Sequence, residues 1–303
     1  MGRIKTMKLY KVKITPTSTF ATSLKGDTLF GQMCWAIRYA FGEKKLESLL
    51  LDYENSPFLV VSDGFLSGYL PKPTMPMTLL GEDGEKKKEN RKKIWLTLDE
   101  LQKGDFTEAR TDKKLNNKKT TKAIVKNSLN RQTFRTDDSD AFAPYAEEET
   151  DLSPQDIYFL IDESRFKVKE LKQAFTMLSQ MGYGKNSSIG KGFFTFSDFE
   201  EIKLTQTSKT FMTLSPAVLE GQNIQKAYYE PFTRFGKHGA GLANTNPFKK
   251  PILMANSGAI VIFKDTCTKD YIGKAIKGKG HSTHKNTVHQ GYAIVISTKD
   301  INI

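Results

Sequence analysis

The chain has 303 residues, a formal net charge of +12, 38% hydrophobic residues and 11% aromatic ones. That length holds two modest domains or one large one, and a low apolar fraction with ample aromatics implies true cores carrying large hydrophilic insertions. The charge points to a polyanionic partner, nucleic acid before an anionic membrane surface; the absence of a CxxC pair excludes a cysteine-type structural zinc site, and no apolar run is long enough to span a bilayer.

Met7 reads as an alternative start, with residues 1–6 as a leader outside the fold. Residues 8–15 (KLYKVKIT) alternate Tyr10, Val12 and Ile14 with Lys11 and Lys13, which predicts a half-buried strand with a basic outer face. A polar loop runs from Pro16 to Lys25, and Asp27 or Thr28 is placed to cap a helix whose stripe is Leu29, Met33, Ile37 and Ala40, ending at Gly42. Cys34 lies in this apolar run as a buried thiol, and the cysteine usage is cytosolic, so a cytoplasmic protein is expected. A shorter helix follows at 44–52, a strand at 58–62, then a stiff segment holding Pro71, Pro73 and Pro76.

Residues 85–135 differ in character. Sixteen Lys or Arg against seven Asp or Glu leave a net +9 there, so most of the excess charge sits in one sixth of the chain. The sparse cluster Ile94, Trp95, Leu96, Leu98 and Leu101 predicts a poor core and a projecting insertion. An acidic stretch follows (Asp137, Asp138, Asp140, Glu147, Glu148, Glu149, Asp151), a block expected to be solvated. Order resumes with an apolar strand at 157–161, a helix at 167–181, a glycine-rich loop at 182–192 and a strand at 193–196. Together with 8–41 and 58–62 this predicts a ferredoxin-like unit. Beyond residue 205, candidate strands at 211–214, 258–263 and 290–296 predict a smaller β-rich domain. The fold class expected is therefore α+β, divided as 1–200, with an insertion at about 81–150, and 201–303.

The loop GYGKNSSIGKG (182–192) carries the information. Gly182, Gly184, Gly190 and Gly192 permit positive φ and close backbone approach, Lys185 and Lys191 add charge, and Ser187 and Ser188 add hydroxyl donors. The nucleotide P-loop pattern fails, because Lys185 stands where its first glycine belongs and Gly192 where Ser or Thr belongs. The dinucleotide pattern fails at Ser187, and the loop follows a helix instead of opening one. A sugar–phosphate backbone passing over the loop fits better.

GDTLFGQMCWAI (26–37), SDGFLSGYLPKPTMP (62–76), KNSLNRQT (126–133) and this loop with its following aromatic strand, GYGKNSSIGKGFF (182–194), taken in that order, resemble the RAMP superfamily of CRISPR effector proteins, and within it the type III-A (Csm) branch that caps the tagged end of the guide RNA. The resemblance covers most of the first 200 residues and is looser afterwards. It implies two RRM-like domains with an inserted β-hairpin thumb that wedges beside the RNA. It implies RNA contacts from the glycine loop and from Lys25, Asp27 and Thr28, and from Asn130, Arg131 and Arg135, with Lys126 weaker. It implies as partners CRISPR RNA, with target RNA as a further candidate, the large multidomain subunit and the adjacent backbone RAMP subunit; no membrane, metal or cofactor is expected.

Arg234, Lys237 and Lys249 beside Tyr228, Tyr229 and Phe232 form a further basic and aromatic stretch suited to RNA, with Arg234 and Lys249 as candidate contacts. The alternative is a metal-independent ribonuclease that processes guide RNA, with His238 or His289 as acid or base. His281 and His284 fall in a mobile-looking loop, no acidic cluster for two-metal chemistry is apparent, and the expectation is a protein that does not cut RNA.

Overall fold

The computed structural model describes residues 7–136, 143–204, 206–220, 223–239, 247–278, 282, 284 and 286–301. Residues 1–6, Asp137, Asp138, Asp140 and His281 lie outside them. The architecture is mixed α/β, mostly strands with few helices.

The first sheet orders its strands as Phe194–Phe196, Met7–Pro16, Gln155–Asp162 and Leu59–Val61, each antiparallel to its neighbour. In chain order this is strand, helix, strand, strand, helix, strand, with helices Gly26–Phe41 and Val168–Met181. Gln155–Asp162 is buried along its whole length because it lies centrally in the sheet. The helices bury Leu29, Phe30, Met33, Ala36 and Ile37, and Leu171, Ala174, Phe175 and Leu178, at the spacing of one helix face. Phe175 meets Phe159, Phe194, Phe196 and Phe199 with ring centroids 4.9–5.7 Å apart.

The first helix is not capped by Asp27 or Thr28. Lys25 is its N-cap without a side-chain hydrogen bond, and the free Gly26 N–H is satisfied from a distance, donating to Asp63 Oδ1 at 2.8 Å. The short helix Glu43–Leu50 follows as expected.

The basic insertion is better built than its composition predicts. Leu70–Pro71, Lys93–Leu96 and Arg110–Thr111 form a three-stranded sheet, and Leu96, Leu101 and Phe106 are buried. Thr97 and Glu100 form a capping box on helix Leu98–Lys103, and Glu100 accepts both nitrogens of Arg110 at 2.6 and 2.7 Å. The lysines coat a small core. Hairpin Thr120–Lys126/Tyr145–Asp151 is largely exposed.

The second sheet runs Ile224–Tyr228, Ile260–Thr268, Thr207–Thr213, Tyr292–Ser297 and Tyr271–Gly273, and it gathers all three strands expected beyond residue 205. No helix occurs among the described residues after 204. Met212, Ile260, Ile262, Ile294 and Ile296 join the same apolar core as the first sheet. The two sheets also meet through Gln290, whose fully buried amide donates to Val61 O and accepts from Val61 N, at 2.8 and 2.9 Å, acting as a one-residue strand partner. No helix among the described residues is long and apolar enough to cross a membrane.

Candidate nucleic-acid interface

The glycine loop is a folded object. Gly182, Gly184, Gly190 and Gly192 all have positive φ, as does Asn186 at 65°. Tyr183 N donates to Gly192 O at 2.8 Å and Gly192 N to Thr19 O at 2.9 Å, while Lys185 N donates to Thr22 Oγ1 at 2.9 Å. The loop thereby zips onto the polar segment 17–24. A Cβ on Gly184 would stand 2.6 Å from Thr22 and one on Gly192 2.1 Å from Tyr183 O. A Cβ on Gly190 would meet nothing, so this glycine, with exposed Ser188, faces open space, and Ser187 is half-buried in a 3-10 turn.

A groove of about 480 Å³ runs beside it, lined among others by Thr22, Thr28, Gly184, Lys185, Arg234 and Lys249. Residues from three separate segments meet here, which no sequence spacing reveals. A second hollow of about 580 Å³ continues along the first helix and shares Gly31, Trp35, His238 and Lys249 with it. On its wall Trp35 stacks with Tyr39 and carries the Arg38 guanidinium at 5.3 Å. Burial holds the Lys249 ammonium below its usual range, and it makes no ion pair with a described residue.

Asp27 lies at this groove with its carboxylate already engaged. Its side chain is 1% exposed, and its oxygens accept from Arg234 Nε and Nη2 at 2.5 and 2.7 Å. It holds Arg234, itself over the Phe232 ring at 4.7 Å, at the groove wall. Lys25 is likewise engaged, donating to Asp63 Oδ2 and Asn256 Oδ1 at 2.8 Å. Asn130, Arg131 and Arg135 sit at the far end of the hairpin, in a loop closed by Asn130 N to Arg135 O at 3.0 Å, and none of them lines the groove.

The glutamate run is not simply solvated. Glu147 and Glu149 alternate with Glu148 along their strand and turn to the glycine loop, Glu149 being buried. Lys191 Nζ lies 2.6 Å from Glu149 and donates to Thr19 Oγ1 at 3.0 Å; Lys185 pairs with Glu147; Lys126 reaches Glu147 at 2.6 Å. The lysines hold both carboxyls below the usual range, Glu147 at about 2. The charge run concealed this, although period-2 alternation was its available signal.

His238 and His289 are buried. His238 Nε2 lies 2.7 Å from Ser282 Oγ with the His284 ring edge-on at 4.8 Å, and His289 Nε2 lies 3.5 Å from Asp27. Burial lowers each to about 4, from the ordinary 6.5. The unfolded chain therefore binds more protons between those values, so the stabilisation from keeping both rings neutral is complete above pH 6.5 and lost as pH falls towards 4. Denaturant melts at pH 6.5 and 4.5 are expected to differ by about 4 kcal/mol, roughly 2 from each ring, and His238→Gln with His289→Gln should flatten that slope. No group of three metal-ligating side chains occurs among the described residues.

No family model and no curated protein matches the chain. Solved structures do. A crystal structure of a Csm1–Csm4 cassette with AMPPNP aligns at TM-score 0.60 and 18% identity, covering 96% of this chain and 98% of the other. The same cassette with cA4 gives 0.59 and 17%, over 96% and 98%. A Csm3–Csm4 subcomplex of the type III-A CRISPR–Cas interference complex gives 0.58 and 16%, over 96% and 100%. The chain resembles Csm4, the component those structures share, throughout its fold.

Proposed function

We propose that the chain, having the fold of Csm4, is a non-catalytic subunit of a type III-A CRISPR ribonucleoprotein. It binds and caps the 5′ repeat-derived tag of the CRISPR RNA and links it to the large multidomain subunit and the adjacent backbone subunit, for antiviral defence in the cytoplasm. We read the first sheet with its two helices as ferredoxin-like (1–200), residues 201–303 as a smaller RRM-like domain, and the exposed hairpin as the thumb.

One observation carries this reading. Lys185, Gly184, Thr28, Arg234 and Lys249, distant in sequence, line one groove in a chain of net charge +12. Such a groove suits a single-stranded polyanion, with cations on the phosphates and the Trp35–Tyr39 face offering a stacking surface for bases. Exposed Arg131 and Arg135 at the hairpin end extend the basic surface. His238 and His289, the candidate acid and base of the ribonuclease alternative, are both buried and lowered to about 4, well away from the neutral pH at which a general acid or base works best, which favours holding RNA over cutting it.

Small RNA of uniform 5′ sequence is expected to copurify with the protein. Replacing Lys185 and Lys191 with Ala should weaken RNA retention and flatten its salt dependence, each lost phosphate contact changing the log–log slope by about 0.7. An unchanged slope would reduce the loop to a turn. Specific cleavage of repeat RNA in chelator, abolished by His238→Ala or His289→Ala, would replace this reading with the ribonuclease.

A further inference from the structure

The lysines of the glycine loop are not waiting for a ligand; they already hold one. Glu147 is held by Lys126 at 2.6 Å, by Asn186 Nδ2 at 2.6 Å and by Lys185. Glu149 is held by Lys191 at 2.6 Å and by Thr19 Oγ1 at 2.8 Å, with Lys126 at 3.6 Å. Two cations and two neutral donors from outside the hairpin (Lys185, Lys191, Asn186 and Thr19), with Lys126 from the hairpin's own facing strand, thus converge on two carboxylates. This is the donor set of an oxyanion site.

The two residues are set one strand repeat apart on the same face, a register that suits successive phosphates. Residues two apart on a strand lie about 6–7 Å from one another on the same face, near the step between neighbouring phosphates of a nucleic-acid strand. One carboxylate oxygen is incompletely matched: Glu149 Oε1 is buried without a hydrogen bond, although Lys126 Nζ lies 3.6 Å away. The hairpin base is fastened independently, Phe20 and Thr150 exchanging both backbone hydrogen bonds at 2.9 Å. Glu147 and Glu149 can therefore leave Lys185 and Lys191 while the hairpin stays rooted.

We infer that Glu147 and Glu149 occupy, as internal stand-ins, a site for two successive RNA phosphates, and that RNA loading exchanges carboxylates for phosphates and frees the hairpin from the glycine loop. This rests on the RNA-binding reading above and adds to it a built-in competitor. The competitor keeps the loop's charge quenched until a polyanion of matching spacing arrives, and it disfavours single anions, which replace only one carboxylate.

The test uses the full chain and a fluorescein-labelled single-stranded RNA. Glu147→Gln with Glu149→Gln should bind about threefold to tenfold tighter than wild type. Glu148→Gln, which removes the same charge from the same strand but faces away, should change affinity less than about twofold. Adding Lys185→Ala and Lys191→Ala to the double Gln variant should abolish the gain. RNA should also raise backbone hydrogen exchange in 145–149 of the wild type. Double Gln binding no tighter than wild type, or a Glu148→Gln gain as large, overturns the inference and leaves the RNA-binding reading standing. Should the double variant unfold, Glu147→Gln alone, which spares the Glu149–Lys191–Thr19 contacts, carries the same expectation at about twofold to threefold. If neither wild type nor any Gln variant binds RNA at low salt, the RNA-binding reading fails, and this inference with it.

Discussion

Replacing Asp27 with Ala should lower stability by about 3 kcal/mol, a fall in Tm of roughly 6–12 °C. The carboxylate is 1% exposed and accepts two hydrogen bonds from the Arg234 guanidinium, which is 21% exposed. Removing it leaves a largely buried cation unpaired on the groove wall, facing His289 and the half-buried Lys249. Desolvation then goes uncompensated, and this cost exceeds what the intact pair contributes. Arg234→Ala strands the carboxylate instead and should cost a comparable amount. The double variant, with both charges gone, should be less damaged than the sum of the two, as thermal or denaturant melts in a double-mutant cycle would report. A loss below about 0.5 kcal/mol for Asp27→Ala would mean that Arg234 turns freely into solvent. Because the pair ties the first helix to strand Pro231–Arg234, RNA affinity should fall with stability.

Replacing Gly192 with Ala is expected to cost about 3 kcal/mol and to disable the loop. Its φ is +73°, and the new Cβ would stand 2.1 Å from Tyr183 O and 2.7 Å from Tyr183 N, both backbone atoms that cannot step aside. The left-handed conformation costs roughly 1–2 kcal/mol for a residue with a side chain, and overpacking a tight site adds typically 1–3 kcal/mol. The Tyr183 N to Gly192 O bond closing the loop would open, and Lys191 would lose its position beside Thr19. Gly190→Ala is the contrast. Its φ is +88° but its Cβ meets nothing within 4 Å, so only the conformational cost of roughly 1 kcal/mol applies. Melts of the two variants should differ by about 2 kcal/mol. Equal losses would show that the loop is not closed as described.

The first half of the fold was legible because its strands and helices announce themselves by period. The 8–15 alternation places Val12 and Ile14 inside, and the 3.6-residue stripe of the first helix buries Leu29, Met33 and Ile37. The basic insertion was misread because charge density hid a few well-spaced apolar residues, and Leu96, Leu101 and Phe106 are enough to seat a small three-stranded sheet. The cap of the first helix was misread because its true acceptor, Asp63, is distant in sequence.

The amino-acid sequence alone determined the basic character, the periodic elements and the position of the glycine loop, since these depend on local composition and on the fixed geometry of strand, helix and turn. The tertiary structure decided which charges are available. It buried Asp27 under Arg234, tied Lys25 to Asp63, set Lys185 and Lys191 against Glu147 and Glu149, and left Lys249 without an ion pair among the described residues. The reason is physical. A charge is free or satisfied according to what lies within a few ångströms of it, and those neighbours come from segments far apart in the chain.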